Sequence, residues 1–201
     1  MAPPSKSSRD GGLASTGANV LWLVGIAAIL IIGGNPAEAH PVSMQHMLRG
    51  KERNKAPFIV IDPRFTCTAA HATDYVRIRP GSDIPVIWGI LWHVFENGWE
   101  DKEYIRQRVY GMDQIRAEVA KWTPDKVEAV SGAPGEQLFR VAEAMAKNKP
   151  ATLIWCMGAT QKTVGTANVR AFSILQLALG NIGAEGGGAN IYRGHSNVQG
   201  A

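Results

Sequence analysis

Three places in the chain set a turn-former and a polar side chain directly behind a short aliphatic run. They are Gly33-Gly34-Asn35-Pro36 after Ala28 to Ile32, Asp62-Pro63-Arg64 after Phe58 to Ile61, and Gly158-Ala159-Thr160-Gln161 after Ala151 to Met157. Glycine at such a strand end lets backbone N–H groups close on a phosphate, and a following helix N-terminus adds a positive dipole. A carboxylate such as Asp62, ending the second strand of a parallel unit, commonly accepts hydrogen bonds from a ribose hydroxyl. Plainer explanations stand beside these. Gly-Gly-Asn-Pro lacks the six-residue dinucleotide fingerprint and serves equally as a turn, and Asp62 can cap its own turn.

The elements that must position these residues follow from apolar spacing. Ala28 to Ile32 reads as a buried strand, and Pro36 onward as one covering helix with Val42, Met44, Met47 and Leu48 on one face. Phe58 to Ile61 is the next strand, so strand, helix and strand repeat within about 35 residues, as a parallel unit requires. The right-handed crossover rule then puts Asn35 and Asp62 at the same sheet edge. Tyr75 to Arg79 alternates apolar with basic residues, and Pro80-Gly81-Ser82-Asp83 turns it into an apolar helix over Ile84 to Asn97, with Ser82 or Asp83 as N-cap. Its tryptophans, Trp88 and Trp92, read as core. Helices follow over Asp101–Tyr110, Asp113–Trp122, a capped start at Thr123-Pro124-Asp125, and Pro134 through Met145. Ala151 to Met157 returns to the sheet, Val164 to Leu179 is a helix closed by Gly180, and Gly186 to Ala201 is a polar, glycine-dense surface loop. The expected fold class is α/β: parallel sheets covered by helices, with a helical excursion at about 100–148.

Composition narrows the function classes. At 201 residues, 45% hydrophobic and 19% charged, the chain can bury a core. A net charge of +4 suits a phosphate-bearing partner, but Lys and Arg are scattered without a run, so no nucleic-acid binder is read. The two cysteines, Cys67 and Cys156, have no metal-ligand spacing, and neither a zinc nor an iron–sulfur site can be built from them, so no metal ligand is assigned. Residues 1–27 read as a disordered or apolar leader. Overlapping its end, Val20 to Ile32 permits three readings: a secretory signal ending at Ala37-Glu38-Ala39, a short membrane anchor, or an apolar segment leading into the buried strand.

Five segments, taken together and in order, resemble the catalytic subunit of molybdenum- or tungsten-dependent formate dehydrogenases, in the bis-molybdopterin guanine dinucleotide oxidoreductase superfamily. They are Ile32-Gly-Gly-Asn-Pro-Ala-Glu-Ala-His-Pro41, Val60-Ile-Asp-Pro-Arg-Phe-Thr66, Ile78-Arg-Pro-Gly-Ser-Asp83, Trp155-Cys-Met-Gly-Ala-Thr-Gln161 and Arg193-Gly-His-Ser-Asn-Val-Gln-Gly200. The resemblance covers nearly everything from Ala28 on.

It implies that strand-end loops hold bis-molybdopterin guanine dinucleotide. Gly34 and Asn35 would then lie at a phosphate, Asp62 and Asp83 near guanosine groups, and Met157, Gly158 and Gln161 beside the pterin, with Arg64, Gly81 and Gln199 also binding the cofactor. Arg193 would bind formate, whose two oxygens a guanidinium matches bidentately, with His195 close by. Electron-transfer subunits are the implied partners, and the cytoplasm is the expected location, or membrane or periplasm if Val20 to Ile32 is an anchor or signal. The family's cluster cysteines, its Cys or selenocysteine metal ligand and its closing domain are not in this sequence, and Cys67 stands where Arg is expected. The chain is therefore read as residues 28–201 of a middle, cofactor-binding region truncated at both ends and without turnover by itself, any iron–sulfur cluster lying in the missing parts. Two other classes stay open: a membrane-anchored or secreted nucleotide-binding or scaffold protein, and an NAD-type dehydrogenase domain, which the absent glycine fingerprint disfavours.

Overall fold

A computed structural model describes residues 27–194. The proposed leader up to residue 26, and with it most of the signal or anchor segment, lies outside the described residues, as do His195 and Gln199.

The aliphatic runs form strands because each is buried on both faces, the condition that favours a continuous β-branched run over an alternating one. They are β1 (Ala28–Ile32), β2 (Phe58–Ile61) and β4 (Ala151–Trp155), and the partly exposed strands β3 (Asp74–Val76) and β5 (Gly188–Ile191) flank them. All five are parallel, in the order β3-β2-β1-β4-β5. Ile32 stands opposite Ile61 on one side and Trp155 on the other, so the strands end level. Ala28 to Ile32 is thus a sheet strand, as the third reading of the apolar segment requires.

Alternate residues of each strand feed opposite faces. Ile29, Ile31, Phe58, Val60 and Ile154 pack with Met44 and Met47. Leu30, Ile32, Ile59, Ile61, Leu153 and Trp155 pack on the other side with a larger helical layer. That layer comprises the excursion and the β4–β5 crossover. The first crossover holds α1 (Pro36–Ala39) and α2 (Pro41–Asn54). α3 (Asp83–Glu96) also belongs to the larger layer and leads into the excursion, which holds α4 (Lys102–Arg108), α5 (Met112–Val119), α6 (Pro124–Ser131) and α7 (Gly135–Lys147), and α8 (Met157–Thr160) and α9 (Gly165–Ala178) follow β4. Trp88 and Trp92 are partly buried against the core, as expected of them.

Several expectations are corrected. The single helix after Pro36 is two, broken at His40 (φ −139°, ψ 58°), because the ring of Pro41 excludes the helical conformation from the residue before it. Val42, expected on the apolar face, is exposed. Neither Ser82 nor Thr123 caps its helix through the side chain; the Ser82 hydroxyl donates instead to the Arg79 carbonyl at 2.6 Å. β4 ends at Trp155, and Met157 opens a one-turn helix. Gly188 to Ile191, expected as loop, is the edge strand β5. Only Ile191 of its four residues is a β-former, and polar contacts to its neighbours hold it: Gln176 Nε2 donates to the Gly188 carbonyl at 2.7 Å and Asn190 Nδ2 to Thr152 Oγ1 at 2.7 Å.

Candidate functional site

A parallel sheet sends every strand end to one edge, so the polar turns singled out above share it. From β1 the chain winds to β2 over one face, and from β4 to β5 over the other. The crevice between the ends of β1 and β4 is therefore the topological switch point, where open α/β sheets bind ligands.

Two glycine turns close this crevice. Gly158 N–H donates to the Gly33 carbonyl at 3.1 Å. A Cβ on Gly158 would fall 2.6 Å from that oxygen, and one on Gly33, whose φ is +61°, would fall 2.7 Å from the Ala159 nitrogen. Only glycine permits backbone to approach backbone this closely. Beside them, a Cβ on Gly34 would meet Cys156 Sγ at 2.8 Å. The Cys156 sulfur also receives the Asn35 backbone N–H, and burial pushes its thiol up to about 11.

Asn35 is used inside the protein. Its Oδ1 accepts from the Thr68 hydroxyl at 2.8 Å and from the Thr68 N–H at 3.3 Å, and the same hydroxyl accepts from Ala37 N–H at 3.0 Å. The carboxamide therefore ties the β1 turn to the loop beyond β2. Glu38 completes the knot: hydrogen bonds from Cys67 and Asn35 hold its carboxyl below the usual range. That bond and the carboxylate charge push the exposed Cys67 thiol up. The helix behind this turn is a single turn long, so it brings less dipole to the crevice than the expected long helix.

Asp62 accepts Arg64 N–H on Oδ1 at 2.9 Å, the turn-capping role foreseen as its alternative. Burial nonetheless pushes its carboxyl above the ordinary value, against the opposing charges of Arg64 and Lys162. Asp83, in the first turn of α3, is buried and bonded through Oδ2 to the Lys162 ammonium. Lys162 was not singled out in the sequence, since a lysine behind Gln161 carries no spacing signal, yet its charge acts on Asp62 as well as Asp83 and it links the β4 loop to α3. Gly81 (φ +89°) has open space where a side chain would sit. Arg64, Met157, Gly158, Gln161 and Arg193 are exposed at this edge. Tyr192 N–H donates to the Trp155 carbonyl at 2.9 Å, extending the β4–β5 ladder until Arg193 leaves it. His40, also missed, reaches the Arg193 carbonyl through Nε2 at 2.7 Å.

Both thiols are raised, so iodoacetamide at pH 8 is expected to act slowly on Cys67 and more slowly still on Cys156, whose ionised fraction there is about one in a thousand. Peptide mapping over time checks the order. Faster labelling of Cys156 would mean that the crevice is open to its floor.

A doubly wound parallel sheet with polar loops gathered at its switch point is the architecture of a nucleotide- or cofactor-binding α/β domain. Residues 26–201 match the family described as molybdopterin oxidoreductase, and the chain belongs to that family. It is 38% identical to the F420-dependent formate dehydrogenase subunit alpha of Methanocaldococcus jannaschii, over 86% of this chain and 26% of the relative. It is 32% identical to the nitrate-inducible formate dehydrogenase major subunit of Escherichia coli, over 86% of this chain and 22% of the relative. The chain thus spans about a quarter of the length of these relatives. Among solved structures, the acetylene hydratase of Pelobacter acetylenicus superposes with a TM-score of 0.74 at 21% identity, covering 83% of this chain and 25% of that one; this likeness is one of fold. No described helix is long and apolar enough to cross a membrane.

Proposed function

We propose that this chain is the cofactor-binding region, residues 28–201, of the catalytic subunit of a molybdopterin-dependent formate dehydrogenase, which oxidises formate to carbon dioxide. The observation that carries the reading is the convergence of Gly34, Asn35, Asp62, Arg64, Met157, Gly158, Gln161 and Arg193 at one sheet edge around the β1–β4 switch point. The resemblance to formate dehydrogenase subunits over 86% of the chain supports the substrate.

The residues fit a bis-molybdopterin guanine dinucleotide by their chemistry. Two turns that accept no Cβ bring backbone to the crevice, where it can face phosphate. Arg64 adds a cation at the same edge, and Asp62 keeps a carboxylate for the N–H and O–H donors of guanine and ribose. Lys162 and Asp83 tie the β4 loop beside it. Met157, Gly158 and Gln161 lie beside the pterin in this reading, with Gln199 further along. When bound, the cofactor would supply the two-electron redox chemistry of formate oxidation through its molybdenum or tungsten. The chain's part is binding and orientation. Arg193 clamps both formate oxygens and aims the C–H bond, and His195 offers a hydrogen-bonding ring nearby. Electron-transfer subunits take up the electrons, and the cytoplasm is the compartment proposed.

Calorimetric titration of the purified chain with GDP tests the cofactor reading. GDP is expected to bind, ADP at least about tenfold more weakly, and Asp62→Asn to lose about tenfold for GDP, the worth of one charge-assisted hydrogen bond of about 1.4 kcal/mol or more. Equal affinity for GDP and ADP, or none for either, would overturn it. For the substrate, Arg193→Lys in the cofactor-loaded enzyme should lower kcat/KM for formate about tenfold, chiefly through KM. Unchanged formate kinetics at full cofactor content would remove Arg193 from the site.

A further inference from the structure

We propose that His40 is the positioning residue for Arg193: its imidazole holds the Arg193 backbone carbonyl and so sets the direction in which that arginine leaves the sheet. The inference rests on the reading of Arg193 as the formate-binding residue.

The two residues are 153 positions apart and meet at 2.7 Å, His40 Nε2 to the Arg193 carbonyl oxygen. Arg193 is the first residue beyond the last rung of the β4–β5 ladder, the Tyr192 N–H to the Trp155 carbonyl. It is exposed and is followed by Gly194, so the ladder itself does not restrain its heading. His40 is itself well fixed. It sits in the break between α1 and α2, where its N–H donates to the Pro36 carbonyl at 2.9 Å and its carbonyl accepts Met44 N–H at 3.0 Å. Its ring also packs on Tyr192, with centroids 5.2 Å apart and planes at 51°. Burial pushes the Tyr192 hydroxyl up, against a hydrogen bond with Ser43 of α2. Tyr192 and Arg193 are thus both held by the segment that follows the Gly33-Gly34-Asn35-Pro36 turn.

The tautomer follows from the partner. A carbonyl only accepts, so Nε2 carries the proton. Nδ1 is buried without a protein partner. A long arginine side chain gives up substantial rotamer freedom to meet a carboxylate with two parallel N–H donors. Fixing the backbone on which it is mounted lowers that cost before the substrate arrives. The contact also joins the proposed substrate residue to the turn that closes the cofactor crevice.

Nuclear magnetic resonance on the full chain, labelled with 15N-histidine and 13C-carbonyl arginine, tests the contact. The expected spectrum has His40 protonated at Nε2. His40→Phe keeps a ring against Tyr192 but no donor and should shift the Arg193 carbonyl resonance; His40→Gln keeps an N–H donor and should restore it. An Nε2 without a proton in the unaltered protein, or an Arg193 carbonyl indifferent to His40→Phe, would overturn the proposal, the first without needing any variant to fold. In the cofactor-loaded enzyme containing this chain, His40→Phe should raise the formate KM about tenfold while kcat stays within about twofold, and Gln should recover most of the loss. A formate KM unmoved by His40→Phe where Arg193→Lys raises it refutes the positioning role. If Arg193→Lys is silent while the resonance results hold, the formate reading fails and the clamp on Arg193 stands.

Discussion

Replacing Lys162 with Met should lower the unfolding free energy by about 3 kcal/mol or more, the usual cost of stranding one member of a buried ion pair. The Asp83 side chain is 2% exposed and that of Lys162 23%, so the carboxylate is the stranded partner and water cannot take the place of the ammonium. Asp62 lies close enough for its charge to act in the same cluster, and it repels Asp83 once the cation that acts on both is gone. The matching change, Asp83→Asn, removes the charge that needs compensation. The double variant Asp83→Asn with Lys162→Met should therefore be more stable than Lys162→Met alone, by about 1–3 kcal/mol of coupling. Urea unfolding of the four proteins gives the cycle. Additive losses, or a Lys162→Met protein within about 0.5 kcal/mol of the unaltered one, would show that the pair is a solvated surface contact. GDP binding should fall with Lys162→Met as well, because the pair anchors the β4 loop that carries Met157, Gly158 and Gln161.

The parts of this fold that could be read from the sequence are those where burial alone chooses the residue. Ala28 to Ile32, Phe58 to Ile61 and Ala151 to Trp155 are buried on both faces, so aliphatic runs announce them, and their turns announce the edge at which they stop. The helix α3 was legible for the same reason, since Val86, Ile90, Leu91 and Val94 keep a helical period. β5 was not, because an edge strand held by Gln176, Asn190 and its neighbour's backbone needs few β-forming residues of its own. The break at His40 was legible in principle, Pro41 being its cause, but the apolar spacing across it is continuous enough to hide it.

For the site, the turns and most exposed residues could be named in advance, whereas their supports could not. Thr68 under Asn35, Lys162 on Asp83 and His40 on Arg193 are pairs 33, 79 and 153 residues apart. Nothing local in the chain distinguishes such a threonine, lysine or histidine from a solvated one. Asn35 has a task that its position did not announce: its carboxamide oxygen ties the β1 turn to the loop beyond β2.

Gly158→Val should be among the most damaging single changes at the crevice, lowering stability by about 2–4 kcal/mol, the sum of overpacking and a lost hydrogen bond. The new Cβ would lie 2.6 Å from the Gly33 carbonyl oxygen and 3.0 Å from the Gly33 carbonyl carbon and Cα. All three are backbone atoms at the end of a central strand, so no flexible side chain can yield, and the loops after β1 and β4 must part. Parting them breaks the Gly158 N–H bond to Gly33 and pulls Cys156 from the Asn35 N–H. Gly81→Val is the control. Its φ of +89° carries the backbone strain of a side chain, about 1–2 kcal/mol, but nothing lies within 4 Å of the added atom. Thermal or urea unfolding should therefore rank Gly158→Val well below Gly81→Val. Iodoacetamide should meanwhile reach Cys156 faster in the Gly158 variant than in the unaltered chain. Equal stability of the two variants, with Cys156 still protected, would mean that the β1 and β4 loops do not touch as described and that the switch-point crevice is open at its floor.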